Sequence, residues 1–301
     1  MPSVYDLYAD EGWTHSSPPL RRYWCFYGGV FGPEAALDRL DTALLAVIRR
    51  FGLRGEVKWS NLSEQNVECY ISLVDTFFDV LRKEDIRYRQ MFLDRSFVWL
   101  PQHGATPVSE LESQFKLYYQ FLKHAFGLRY LPVDRAEGAI RINLHLDNHS
   151  NQDLKSRLID FVANLPRLLG REDIQINVTF MESSKSRRLQ ICDLLMGAAG
   201  SHGNQMQKQR RGGRRGMSNK QRVRDRVCRH IYNHLRKLDS DTRNTRAFNW
   251  FETTGHDGSK ANRYHHKARV WKFIPARHRK DFGWENSDLD AQGNYVKPRY
   301  K

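Results

Sequence analysis

Ile140-Arg141-Ile142-Asn143-Leu144-His145-Leu146-Asp147 alternates apolar and polar residues without a slip, and this stretch decides the fold class. Successive strand side chains point to opposite faces, so residues 139–147 read as a half-buried strand with the leucines and isoleucines inward. Asp147 stands at its C-terminal end. Downstream, residues 153–169 read as a helix, Ile174–Met181 as a second strand, and 186–199 as a helix with Leu189, Leu194, Leu195 and Ala198 buried. Strands alternating with helices in this way predict an α/β domain with a mixed sheet.

Upstream the pattern is compatible. Val4–Asp10 predicts a strand ending in a turn at Glu11-Gly12, and Arg22–Phe31 a second strand. Pro33 then opens a helix to Arg50 with Leu37, Leu40, Leu44, Leu45 and Ile48 at helical spacing. Glu56-Val57-Lys58-Trp59 is extended, and residues 60–64 offer N-cap chemistry for a helix ending near Lys83. A strand over 86–93 and an inserted helix over 109–126, core-facing or covering the site, complete this half.

The net charge of +15 is unevenly placed. Residues 1–201 hold 24 Lys/Arg against 25 Asp/Glu, whereas residues 202–301 hold 25 against 9. A neutral body with a basic arm suits a polyanionic partner, because each phosphate neutralised releases condensed counterions. Nucleic acid, DNA or RNA, is therefore the expected partner, and Arg210, Arg211, Arg214 and Arg215 in the Gly-rich stretch 201–220 are its expected contacts. A helix over 221–238, docking through Val223, Val227, Ile231 and Leu235, is followed by aromatic and basic segments containing Trp250 and Trp271. We divide the chain into an α/β domain over 1–200, a basic loop over 201–220 and a basic, aromatic-rich extension over 221–301. Residues 1–10 carry no basic segment followed by an apolar run, and no window approaches the ~20 apolar residues of a membrane span, so a cytoplasmic protein is expected. Cys25, Cys69, Cys192 and Cys228 are too scattered for a zinc knuckle and read as reduced thiols.

Four acids stand where a metal cluster would need them. Hydrolysis of a phosphodiester by two divalent ions ~3.5–4 Å apart requires carboxylates that converge from strand ends and facing helices. Asp10 and Asp147 end strands, and Asp193 lies within the apolar run Leu189–Leu195, where an acid without a cation is costly. Glu56 and Lys58, two apart on an extended segment, would present a ligand and a phosphate-binding ammonium from one face. Lys185 is a second candidate for the phosphate. Glu11 faces away from Asp10 by strand alternation unless the turn brings it in. His145, Asp147 and His149 also allow a mononuclear site with a histidine base.

The motifs Tyr8-Ala9-Asp10-Glu11-Gly12, Phe26–Val30, Gly55-Glu56-Val57-Lys58-Trp59-Ser60, Leu144–Asp147 and the Gln190-Ile191-Cys192-Asp193 helix together resemble the prokaryotic domain of unknown function 3800 family, over about residues 4–200. That family is placed in the ribonuclease H-like superfamily. The resemblance implies an α/β ribonuclease H-like mixed β-sheet flanked by helices, with a basic C-terminal extension lying outside the resemblance. It also implies a metal-dependent nuclease using two Mg²⁺ or Mn²⁺ ions on Asp10, Glu56, Asp147 and Asp193. Two departures stand out: Gly12-Trp13 follows where the family usually has Ser, and Glu56 precedes a helix where ribonuclease H bears its Glu on one. The rival expectation is a non-catalytic nucleic-acid-binding subunit whose acids hold a structural ion.

Overall fold

In chain order the elements are β1 (Ser3–Gly12), β2 (Tyr23–Pro33), α1 (Glu34–Phe51), α2 (Val67–Lys83), β3 (Arg87–Asp94), β4 (Phe97–Trp99) and α3 (Glu110–His124). Then follow β5 (Ile140–Asp147), α4 (Gln152–Ala163), α5 (Leu165–Leu169), β6 (Ile174–Met181), α6 (Arg187–Gly203), α7 (Asn219–Asp241), α8 (Asn262–His265), β7 (Ala268–Phe273) and β8 (His278–Lys280). This computed structural model describes residues 3–12, 21–100, 110–132, 138–148, 152–204, 217–241 and 259–282.

One six-stranded mixed sheet runs in the order β6-β5-β1-β2-β3-β7. β1, β2 and β3 form an antiparallel meander. The chain then crosses to the other side of β1, where β5 and β6 lie parallel to it and to each other. The strand order therefore reverses between β1 and β5, the kind of switch point beside which open α/β sheets bind ligands at their strand C-terminal ends. Ala9 sits opposite Leu146, so one further step of the same register brings Asp10 alongside Asp147.

Strand alternation sorts the two faces. Leu7 and Ala9 of β1 and Ile140, Ile142, Leu144 and Leu146 of β5 pack with Phe121, Leu122, Leu158 and Val162 of α3 and α4. The opposite face carries Tyr8, Phe26 and Val30 under α1, α2, α6 and α7. Asp10, two residues after Tyr8, and Asp147, two after His145, share the α6 face. Close approach of α6 depends on Gly28, which pairs with Asp10: a Cβ there would lie 2.6 Å from Met196 Cγ.

Several boundaries differ from expectation for local reasons. β1 continues through Glu11 and Gly12, because both still pair with β2, at Tyr27 and Phe26. The segment after Lys58 makes a single helical turn at Trp59–Asn61 and α2 starts only at Val67. Asn61 donates to the Glu56 carbonyl (3.1 Å) and Asn66 to the Asn61 carbonyl (2.9 Å), which holds residues 56–66 as a loop. The helix expected over 153–169 breaks at Asn164, since Pro166 supplies no N–H to a continuing helix.

Described residues beyond 200 join the same sheet and core. α6 runs on to Gly203, and buried Asn204 donates to the Tyr23 carbonyl (2.8 Å) and accepts from its N–H (3.0 Å). α7 docks through Val223, Val227, Ile231 and Leu235, the four residues expected to do so. β7 adds to the β3 edge in parallel, from Tyr88 opposite Ala268 to Leu93 opposite Phe273. The guanidinium of Arg89 is fully buried and donates to the carbonyls of Ala125 (2.9 Å), Arg263 (2.6 Å) and His266 (2.7 Å), tying the end of α3 and the approach to β7 onto β3. All four cysteines are buried and none is joined in a disulfide to another. No helix among the described residues is long and apolar enough to cross a membrane.

Candidate metal centre

α6 reads the 56–59 segment residue by residue. Gln190, Asp193 and Gly197 lie on one helix face by their three- and four-residue spacing. Gln190 Oε1 accepts from Val57 N (3.2 Å), and Asp193 Oδ2 accepts from Trp59 N (2.7 Å). The Trp59 ring then covers Gly197, where a Cβ would fall 2.2 Å from Trp59 Cγ. The glycine lets the indole lie against the helix backbone, and that contact sets Glu56 and Lys58 beside Asp193.

Asp10, Asp147 and Asp193 share one arrangement: each has a carboxylate oxygen held by backbone amides. Asp10 Oδ1 accepts from Glu11 N (2.7 Å). Asp147 Oδ1 accepts from Asn148 N (2.9 Å) and Ser183 N (3.0 Å), and Asp193 Oδ2 accepts from Trp59 N. The other oxygen of each has no hydrogen-bond partner among the described residues. Glu56 follows suit differently: Oε2 pairs with Lys58 Nζ at 3.0 Å, whereas Oε1 is buried without a hydrogen-bond partner among the described residues. Of these oxygens Glu56 Oε1 is the one closed off from solvent, and an orphaned buried carboxylate oxygen is costly unless a cation meets it.

The acids feel one another. Burial first, then the charges of Glu11, Asp147 and Asp193, hold the Asp10 carboxyl well above the usual carboxylate range. Burial also raises Asp193, with Glu56 and Asp147 adding to it, against the Trp59 amide and Lys58, which favour its charged form. Lys58 is itself raised: partial burial opposes its charge, but the hydrogen bond and charge of Glu56, then Asp193 and Asp147, outweigh that. Such mutually opposed charges weaken once a divalent cation is bound among them. No three of these acids, among the described residues, bring donor atoms within 4.8 Å of one another, so they span more than a single ion's shell.

The remaining sequence candidates are placed as follows. Lys185 is largely exposed and pairs with Glu182 (3.0 Å). Glu11 stays in β1, on the face opposite Asp10, yet burial and then Asp147 push its carboxyl up to about 7. His145 stacks on Tyr8 (4.4 Å between centroids), with its Nε2 3.7 Å from an Asp6 carboxylate oxygen. His149, Trp250 and the arginines at 210, 211, 214 and 215 lie outside the described residues. Trp271 is half-buried in β7 against Phe273, with His124 at its edge.

Tyr118 went unread as a site residue. Its buried hydroxyl has no hydrogen-bond partner among the described residues, and its acidity is suppressed by burial, then by Glu11, Asp10 and Asp147. Only the fold signals this, because in sequence Tyr118 is one apolar-face residue of α3 among several.

The comparison with protein-family models gives no match to this chain, and the comparison with curated proteins gives none either.

Proposed function

We propose that the chain is a metal-dependent nuclease that hydrolyses phosphodiester bonds of DNA or RNA with two Mg²⁺ or Mn²⁺ ions. The observation that carries this is the shared arrangement of Asp10, Asp147 and Asp193, each oriented through one oxygen by backbone amides with the other left for a ligand. Hard divalent cations take carboxylate oxygens, and a pair of ions ~3.5–4 Å apart suits acids spread beyond one ion's shell. A ribonuclease H-like fold is part of the proposal. Its support is the meander of β1, β2 and β3 beside parallel β5 and β6, with acids at the C-terminal ends of the central parallel pair.

In this reading Asp10, Asp147 on the next strand and Asp193 on the helix above would hold the ions. Glu56 would hold the outer ion through Oε1. Lys58, already within the field of the acids, would meet a phosphate oxygen once ions neutralise Glu56. Such ions would supply an activated water and stabilisation of the leaving oxygen. Incubating the purified protein with labelled single-stranded, duplex and hybrid substrates, with Mg²⁺, Mn²⁺ or chelator, tests the activity. Binding of these substrates with no metal-dependent cleavage would replace it by the non-catalytic reading.

Glu56 and Lys58 separate under titration. Glu56→Gln is expected to raise the metal concentration giving half-maximal activity, with excess Mn²⁺ restoring part of the rate. Lys58→Ala is expected to lower turnover at saturating metal without raising that midpoint. Identical metal titrations for wild type and both variants would remove Glu56 from the ligand set.

Nucleic-acid binding rests on the basic last third of the chain. Neutralising Arg210, Arg211, Arg214 and Arg215 together removes up to four phosphate contacts. At roughly 0.7–0.9 log unit of salt slope per contact, the plot of log K against log[salt] should flatten by ~3 units. An unchanged slope would take these arginines out of the interface.

A further inference from the structure

Away from the strand ends, α7 meets α2 through a second group of ligand-bearing side chains. His230 and His234 are four residues apart and so project from one face of α7. Asp75 of α2 faces them: Nε2 of His230 and Nε2 of His234 each lie 2.7 Å from the same oxygen, Asp75 Oδ1. The three donor atoms all fall within 4.8 Å of one another. His234 is seated by a parallel stack on Phe78, with 4.9 Å between centroids and 4° between planes. His230 is about a third exposed and borders a solvent-open cleft with Asn233, Arg236 and Lys237.

We propose that Asp75, His230 and His234 form a separate metal site for Zn²⁺ or a similar borderline transition ion, with its fourth position open to the cleft. Two imidazole nitrogens and one carboxylate oxygen suit such an ion, whereas Mg²⁺ prefers oxygen ligands throughout. With metal–ligand bonds of ~2.0–2.2 Å, tetrahedral ligand atoms stand ~3.3 Å apart. The present 2.7 Å contacts need open by only ~0.6 Å for the ion to replace the Nε2 protons that now bridge to Asp75.

One neighbour works against the ion. Arg82 Nη2 lies 3.1 Å from His234 Nδ1 and pairs with Asp79 at 3.1 Å. A guanidinium donates, so His234 Nδ1 accepts and the ring proton stays on Nε2. Metal at Nε2 puts that proton on Nδ1, and Arg82 must then turn outward toward Asp79. The site thus exchanges one occupant for another: a proton with Arg82 inward, or a cation with Arg82 displaced. Bound metal would fasten α7, the first element after the basic stretch, to α2.

The test uses metal-free full-length protein carrying Asp10→Asn and Asp193→Asn, so that the acids of the first candidate centre compete less. Co²⁺ is the probe, read by its visible d–d absorption. The expected result is one Co²⁺ per chain with nitrogen-ligated absorption, displaced by Zn²⁺ and not by a large excess of Mg²⁺. His230→Ala and His234→Ala should each weaken binding by ~100-fold or more, and Arg82→Ala should tighten it by roughly 10-fold, the scale of outer-shell effects on metal sites. His230→Ala is the deciding variant, because its ring is the more exposed and α7 keeps Val227, Ile231 and Leu235 in the core. Absent Co²⁺ absorption at millimolar metal, or the same absorption and affinity in correctly folded His230→Ala, would overturn the site.

Discussion

Asp193→Asn is expected to lower metal-dependent cleavage by on the order of 10³-fold or more, since losing a ligand removes several kcal/mol of charge stabilisation from the transition state. The fold should survive. An Asn at this position still accepts from Trp59 N through its amide oxygen, so the Gln190, Asp193, Gly197 face keeps its grip on residues 57–59. Removing one charge also relieves the repulsion that raises Asp10 and Asp193, so the metal-free melting temperature should rise or stay level. Asp10→Asn is expected to act alike. Near-wild-type turnover with normal metal dependence in either variant would dismiss these acids as the centre, and a collapse in melting temperature would assign Asp193 a structural role.

Metal-free protein is expected to lose stability as pH rises, and Mg²⁺ to restore it. The folded carboxyls of Glu11, pushed up to about 7, and Asp10, raised well above its ordinary value, bind protons more tightly than they do in the unfolded chain. Their contribution is therefore fully present below the unfolded carboxylate range and disappears as pH climbs through the folded values. Buried histidines run the other way: burial lowers His124, to about 4, and also His202, so their charging destabilises the acid side. Subtracting the profile of Glu11→Gln isolates the carboxyl part, which should decline from about pH 4.5 to just beyond pH 7. The part of the decline that Glu11→Gln leaves and Asp10→Asn removes reports Asp10. Saturating Mg²⁺, at ~100 times its Kd, should add about 2.7 kcal/mol to the alkaline side. Superimposable profiles for wild type and Glu11→Gln, with no response to Mg²⁺, would mean that no cation binds among these acids.

Much of this architecture was legible because periodicity reports burial. The alternation over 140–147 placed Asp147 at a strand end, and the apolar run around Asp193 marked an acid facing inward. β7 escaped notice although Val270, Trp271, Phe273 and the stop at Pro275 are strand signals, because the surrounding charge drew residues 260–280 toward a nucleic-acid tail. The partners of Glu56 and Lys58 were also hidden. They depend on Gly197 letting Trp59 lie on α6, a contact between segments far apart in sequence. Glu11 shows the limit of alternation as a guide: it does face away from Asp10, but buried charges act through a strand as well as along its surface. The Asp75, His230 and His234 group was missed for the opposite reason, since the helical spacing of the histidines was visible but their facing carboxylate was not.

The docking of β7 on β3 also orders events in time. A ribosome delivers β1, β2 and β3 early, yet the neighbour that covers the outer edge of β3 emerges only after α7 has been made. Until then the amides and carbonyls between Tyr88 and Leu93 form an open strand edge, and the Arg89 guanidinium waits for the carbonyls of Arg263 and His266. Such edges recruit other strands, and contacts between distant segments close slowly. The β3 edge thus stays open to mispairing until β7 has been synthesised, long after the β1 edge has been covered by β5.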